Sequence, residues 1–209
     1  TNHDNGNSLK VILQELDKAG YKVFHQVLNS VDYGVPQMRE RIYFVGIRKD
    51  LVSDDFTFCF PERQPRVSVK DYLVDTKQLE FDEKKVTYET FLNYLDNKYN
   101  KGQYDIKELL EKDYSVIDTR QSDLRIYHNR VPTLRTGRHG ILYVRDGKFR
   151  KLSGYESLLL QGFPKELAKK VDGVIEEIHL LKQTGNAMTV STIEAIAKEL
   201  FKTLEKHEK

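Results

Sequence analysis

The pattern Gln37-x-Arg39-x-Arg41, set directly ahead of the apolar run Ile42 to Ile47, is one of two features with the means to hold an oxygen-rich partner. A guanidinium is planar and permanently charged, and its fork of donors can grip carbonyl and phosphate oxygens together. Two arginines at the mouth of a strand are equally compatible with a solvated strand end. The second feature runs from Arg120 to Lys151, where seven Arg and two Lys are opposed only by Asp123 and Asp146. This segment carries +7 in a chain whose net charge is +2. A charge run is usually a solvated face, although such clustering is also the electrostatic footprint of a nucleic-acid surface. The one cysteine, Cys59, excludes a disulfide within the chain and a structural zinc site, and the histidines lack metal-ligand spacing. Between Phe58 and Phe60, that thiol is predicted to pack as a small hydrophobe rather than to act as a nucleophile.

The hydrophobic pattern predicts the scaffold. Leu9, Ile12, Leu13 and Leu16 form one face of a helix from Ser8 to Ala19, capped by Asn7 or Ser8 and stopped by Gly20. Tyr21 to Leu28 is rich in β-branched and aromatic residues, and Ile42 to Ile47 is a continuous apolar run; both predict strands, the second buried on both faces. Their short connection predicts an antiparallel pair at a sheet edge. From Asp71 to Asp113, eleven acidic and seven basic residues predict a helical, solvated stretch. The basic segment, with turn signals at Thr136-Gly137 and Asp146-Gly147, predicts a small twisted β region. Ser153 with Glu156 and Ser191 with Glu194 have capping-box spacing. The first pair precedes a helix ended by Gly162-Phe163-Pro164; the second precedes a last helix with the face Ile193, Ile196, Ala197, Leu200, Phe201 and Leu204.

With 39% hydrophobic and 32% charged residues, the 209-residue chain has the composition of a globular protein of one or two domains. No apolar run approaches the ~20 residues of a membrane span. The opening TNHDNGNS shows neither an initiator Met nor a secretory layout, which predicts an internal cut and a cytoplasmic origin.

Three segments, in order, resemble the eighth, ninth and tenth conserved blocks of the DNA cytosine-5 methyltransferases. They are VPQMRERIYFVGIR (Val35 to Arg48), RKLSGYESLLLQGFP (Arg150 to Pro164) and QTGNAMTV (Gln183 to Val190). Within the second, Tyr155 stands where the family usually has a basic residue. The resemblance implies an α/β fold: the C-terminal portion of a Rossmann-like, S-adenosylmethionine-dependent methyltransferase domain plus a small, mainly β target recognition domain. Residues 1–59 and 173–209 would belong to the catalytic domain and residues 60–172 to the recognition domain. The family's glycine-rich cofactor loop, its Pro-Cys dipeptide and its Glu-Asn-Val block do not occur in these residues. The chain alone is therefore expected to be inactive and to bind S-adenosylmethionine poorly, with double-stranded DNA and an N-terminal catalytic half as partners and no metal.

By the same resemblance, Arg41 lies near the extruded cytosine's O2 and a phosphate, Arg39 braces the catalytic loop, and Gln37 supports that loop in the DNA-binding region. Two recognition loops, about residues 117–127 and 133–140, would enter the major groove. Arg120, Gln121, Arg125, Arg135 and Arg138 have side chains suited to base edges. Thr133 and His139 suit phosphate contact or positioning. Asn186 and Ala187, in the Gly185 to Thr189 loop, would line the cofactor pocket. Three readings stay open: part of a single-chain enzyme of a restriction-modification system, the recognition subunit of a naturally split heterodimer, or a non-catalytic DNA-binding module.

Overall fold

The computed structural model describes residues 6–74, 81, 86–137 and 139–207. Helix α1 (Asn7–Lys18) starts after Gly6, whose φ of 85° makes it the cap without any side-chain hydrogen bond, so neither Asn7 nor Ser8 caps it. Gly20, at φ 86°, turns the chain into β1 (Tyr21–Asn29), a conformation that glycine adopts without Cβ strain. A two-residue β2 (Gln37–Met38) precedes β3 (Glu40–Arg48). Strands β1 and β3 pair antiparallel along their whole length, from Tyr21 opposite Arg48 to Asn29 opposite Glu40.

Strand β3 departs from the expectation of burial on both faces. Tyr43, Val45 and Ile47 are buried, Ile42 and Phe44 half-buried, and Gly46 exposed. Among the described residues the β1–β3 sheet has two strands, and one of its faces packs on Phe56, Phe58 and the C-terminal helix. Cys59 is also not where its aromatic neighbours suggested: Phe56 and Phe58 enter this core, while Cys59 is exposed. Cys59→Ser is accordingly expected to change unfolding free energy by no more than about 0.5 kcal/mol, as for ordinary surface positions. Chemical denaturation checks this, and a loss of several times that amount would place the thiol in the core.

In the middle of the chain, α2 (Val86–Leu95) and α3 (Ile106–Leu110) lie against a four-stranded antiparallel sheet of order β5-β4-β7-β8. Its strands are β4 (Ser115–Asp118), β5 (Arg125–His128), β7 (Ile141–Arg145) and β8 (Lys148–Lys151). Side chains alternate across it. Val116, Ile141 and Tyr143 pack with Val69, Leu73 and Leu160, whereas Ile117, Leu142 and Val144 pack with Phe81, Phe91 and Leu109. The acidic stretch is thus partly helical but not merely solvated; residues 75–80 and 82–85 of it lie outside the described residues. Asp146 (φ 54°) and Gly147 (φ 66°) make the tight hairpin between β7 and β8. The short β6 (Val131–Pro132) pairs parallel with β2, which joins this sheet's connecting loop to the β1–β3 unit.

Four helices finish the chain: α4 (Gly154–Leu160), α5 (Lys165–Val171), α6 (Glu177–Asn186) and α7 (Val190–His207). The capping box of α4 forms as the spacing predicts, Ser153 and Glu156 satisfying each other's backbone N–H. Glu156 is fully buried and also accepts from Tyr143 Oη at 2.7 Å. Burial, followed by that carboxylate, holds the Tyr143 phenol well above its ordinary pKa. Helix α7 begins at Val190, so Ser191 sits inside its first turn and does not cap it. Of its predicted face, Ile196 is buried and Leu200 and Leu204 pack on the β1–β3 core, while Ile193 and Phe201 are exposed.

Candidate nucleic-acid interface

Arg39 and Arg41 are two residues apart, yet one is buried and the other is not. The chain breaks its strand conformation at Arg39, between β2 and β3. Arg39 is 4% exposed; its Nη1 donates to Leu134 O at 3.0 Å and its Nη2 to Gly185 O at 3.2 Å. Burial, and then the Arg41 charge, lower its pKa from the usual arginine value. Arg41 is exposed, with Nη1 donating to Glu40 O at 2.6 Å. Gln37 is fully buried: Nε2 donates to Leu160 O at 3.0 Å, and Oε1 accepts from Leu134 N–H at 3.0 Å. Both ends of that amide are committed to backbone, so Gln37 braces the Leu134 and Leu160 backbones and presents no amide group at the surface.

These residues border an open cleft of about 510 Å³ whose other walls are Thr133 to Thr136 and Gly185–Asn186. The two walls meet backbone to backbone. A Cβ on Gly185 would lie 2.3 Å from Arg135 C and 2.4 Å from Thr136 N, and Thr136 Oγ1 donates to Asn186 Oδ1 at 2.6 Å. Behind the cleft, Ser30 Oγ donates to Thr189 Oγ1 at 2.8 Å, and Thr189 Oγ1 donates to Gln161 Oε1 at 3.0 Å. Gln161 Nε2 in turn donates to Thr184 O. All four residues are buried. Sequence reasoning gave Gln161 no role, although it stands in the second family block, and placed Thr189 only at the end of the Gly185 to Thr189 loop.

The basic segment divides sharply once its side chains are placed. Arg120 has a side chain 2% exposed; its Nε and Nη2 both lie 2.7 Å from the Asp118 carboxylate, and Nη1 donates to Thr133 O at 2.8 Å. Its expected contact with a base edge is corrected: the whole fork is used inside the protein, tying one predicted recognition loop to the other. Arg145 Nη1 donates to Leu73 O at 3.2 Å, and Arg150, with a side chain 10% exposed, lies 3.6 Å from Asp146. Arg125 is exposed and pairs with Asp123 at 3.1 Å, a surface contact worth little and easily exchanged for a phosphate or base. Gln121 is half-buried and Arg130 and Arg135 are exposed. Arg138 lies outside the described residues. Thr133 Oγ1 donates to Met38 O at 2.5 Å, a positioning bond. Partial burial, then Lys182 and Arg120, lower the pKa of His139 from the usual histidine value. The excess of arginine is therefore in part internal bracing.

Asn186 is exposed and Ala187 half-buried where α6 ends. Asn186 Oδ1 accepts from Thr136 Oγ1, which ties the end of α6 to the Thr133–Thr136 loop. Among the described residues, no group of three His, Cys, Asp or Glu could hold a metal ion, and no helix is long and apolar enough to cross a membrane.

A buried arginine thus fastens an arginine-bearing loop to the end of α6, and comparison with known proteins gives this architecture a family. Residues 1–202 match the family described as C-5 cytosine-specific DNA methylase, and the chain belongs to that family. It is 32% identical over 212 residues to the Type II methyltransferase M.Bsp6I of Bacillus sp. (strain RFL6). It is 32% identical over 216 residues to M.HaeII of Haemophilus aegyptius. These alignments cover 97% and 98% of the chain but 62% and 58% of the relatives, so the chain spans about three fifths of their length. Among solved structures, Entamoeba histolytica methyltransferase EhMeth aligns with a TM-score of 0.60 at 16% identity, covering 94% of this chain and 58% of that one. Spodoptera frugiperda DNMT2, in a mutant form, aligns at 0.62 and 14%, covering 96% and 64%. The fold is accordingly the α/β fold of the S-adenosylmethionine-dependent cytosine-5 methyltransferases.

Proposed function

We propose that the chain supplies the target-recognition and base-holding part of a DNA cytosine-5 methyltransferase of a restriction-modification system. It would act on a cytosine extruded from double-stranded DNA. One observation carries this: the exposed Arg41 shares a cleft with the Thr133–Thr136 loop and with Gly185–Asn186, so a base-holding guanidinium, a recognition loop and a cofactor-side loop converge. Residues 60–172 would form the recognition unit and residues 1–59 and 173–209 the catalytic remainder. Support comes from the cores: one cluster joins Leu28–Phe58 residues to Ile196, and others lie within 69–160. Leu180 of α6 packs on Leu158 and Leu159 and attaches the remainder to the recognition side.

Cytosine C5 becomes nucleophilic only after a thiolate adds to C6 and N3 is protonated. S-adenosylmethionine, when bound, supplies the methyl group. Within this chain, Arg41 holds the cytosine O2 and a flanking phosphate, while Arg39 fixes the Leu134 and Gly185 backbones on either side. Asn186, which borders the cleft, and the adjoining Ala187 would line the cofactor side. That Cys59 is exposed and does not border the cleft supports the reading in which the attacking thiolate comes from an N-terminal catalytic half, on the same polypeptide or on a partner.

Alone, the chain is expected to transfer no tritiated methyl groups from S-adenosylmethionine to a cytosine-containing duplex. Transfer should appear when a polypeptide carrying the Pro-Cys half is added. In that complemented enzyme, Arg41→Ala should lower kcat by about a hundredfold, the scale of removing one preorganised donor at a reacting centre. Duplex affinity should fall far less, because the contact matters most when the reacting geometry forms. Vigorous transfer by the lone chain, or equal losses of turnover and affinity, would contradict the assignment.

A further inference from the structure

The loop between β4 and β5, residues 119–124, is one of the two surfaces that the proposed function directs at DNA, so a recognition role for the residues that support it rests on that proposal. A loop that discriminates bases must hold one shape before it binds, or binding energy is lost in ordering it. Nearly all of the bonds that shape its far side come from elsewhere in the chain. Tyr94 Oη donates to Gln121 O at 2.8 Å, Asn97 Nδ2 to Ser122 O at 3.0 Å, and Tyr104 Oη to Leu124 O at 3.0 Å. At the centre is Asn100, which is 1% exposed. Its Nδ2 donates to Ser122 O at 3.2 Å and to Tyr94 O at 3.0 Å, while its Oδ1 accepts from Leu124 N–H at 2.9 Å. No sequence motif marked this stretch, which lies in the acidic region read as solvated.

Asparagine suits the position because its amide presents donor and acceptor together. Aspartate would keep the bond from Leu124 N–H and lose both donations; alanine would lose all three and leave the buried Leu124 N–H without its acceptor, Ser122 O keeping only the bond from Asn97. The loop shaped in this way carries Gln121 at the edge of an open cleft of about 530 Å³, shared with Lys98 and Tyr99. Arg125 follows directly after the clamped Leu124.

We infer that Asn100 is a specificity-determining positioning residue, which with Tyr94 clamps the Gln121–Leu124 backbone in the shape that presents Gln121 and Arg125 to the bases. It touches no base itself. Its removal therefore blurs which sequence is chosen before it abolishes methyl transfer.

The test uses the complete enzyme, this chain together with its catalytic half, acting on a randomised duplex library that is then read by bisulfite sequencing. The wild type should yield one methylated motif. Asn100→Ala should lower discrimination at one or two positions of that motif by about tenfold, within the span of a single base contact, leaving the other positions and the methylated cytosine unchanged. Asn100→Asp should do so less, and Tyr94→Phe, which keeps the packed ring and removes one hydroxyl, least. If Asn100→Ala does not fold, the ordered effects of the other two variants decide. An unaltered motif in the folded variants, even with slower methylation of every site alike, would reduce Asn100 to a structural residue and overturn the inference. A wild-type enzyme that methylates no motif would instead overturn the proposed function.

Discussion

Replacing Arg120 with alanine is expected to cost about 3–5 kcal/mol of stability, the range for breaking a buried ion pair and leaving one charge uncompensated. The cause lies in its surroundings: Asp118 keeps a carboxylate only 6% exposed, and Thr133 O loses its donor. A base-reading arginine would behave differently. Its alanine variant would lose ~1–3 kcal/mol of discrimination at one position and keep a nearly normal denaturation midpoint. Replacing both partners with apolar residues of similar volume, Arg120→Met with Asp118→Leu, should recover much of the loss, since no charge is then stranded. Denaturant titration of the complemented enzyme distinguishes the cases. A stable Arg120→Ala variant with relaxed site choice would return Arg120 to the base-reading group.

Gly185→Ala should be nearly as damaging, against the usual sign of that change. Inside a helix, alanine is ordinarily favoured over glycine by roughly 1 kcal/mol. Here the added methyl would fall between 2.3 and 2.5 Å from three backbone atoms of Arg135 and Thr136. Backbone yields less readily than the tip of a flexible side chain, so the Thr133–Thr136 loop must move away from α6. That movement also breaks the bond from Arg39 to Gly185 O and the bond from Thr136 to Asn186. A loss of about 3 kcal/mol, at the upper end of overpacking, is expected, together with a collapse of methyl transfer in the complemented enzyme. Wild-type stability and turnover in Gly185→Ala would show that these two backbones do not meet.

Short-range features were the legible part. The helix after Gly6, the hairpin at Asp146-Gly147 and the capping box at Ser153 and Glu156 depend on residues within four positions of each other, and periodicity and turn chemistry reach that far. Less legible were features whose outcome depends on covering surface. Strand β3 is uniformly apolar in its middle, yet its burial alternates because one face of the two-stranded sheet is packed and the other is not. Cys59 faces outward for a related reason, since Phe56 and Phe58 fill the core beside it. Asn97 and Asn100 were hidden in an acidic stretch, because hydrogen bonds to a loop more than twenty residues away leave no mark on local composition.

By itself, then, the sequence determined the local elements and the ordered blocks through which the chain belongs to the cytosine-5 methylase family. Only the tertiary structure decided which arginines are available to a ligand. A guanidinium is buried when acceptors surround it, and for Arg39 those acceptors are the carbonyls of Leu134 and Gly185, 95 and 146 positions along the chain. Arg41, two residues on, finds no such enclosure and faces the cleft. Arg120 looked outward on charge alone, and is held inward by Asp118 and by the carbonyl of Thr133. Residue type and spacing state what a side chain is able to bond; the partners that chain folding brings to it determine which of those bonds are left for a ligand.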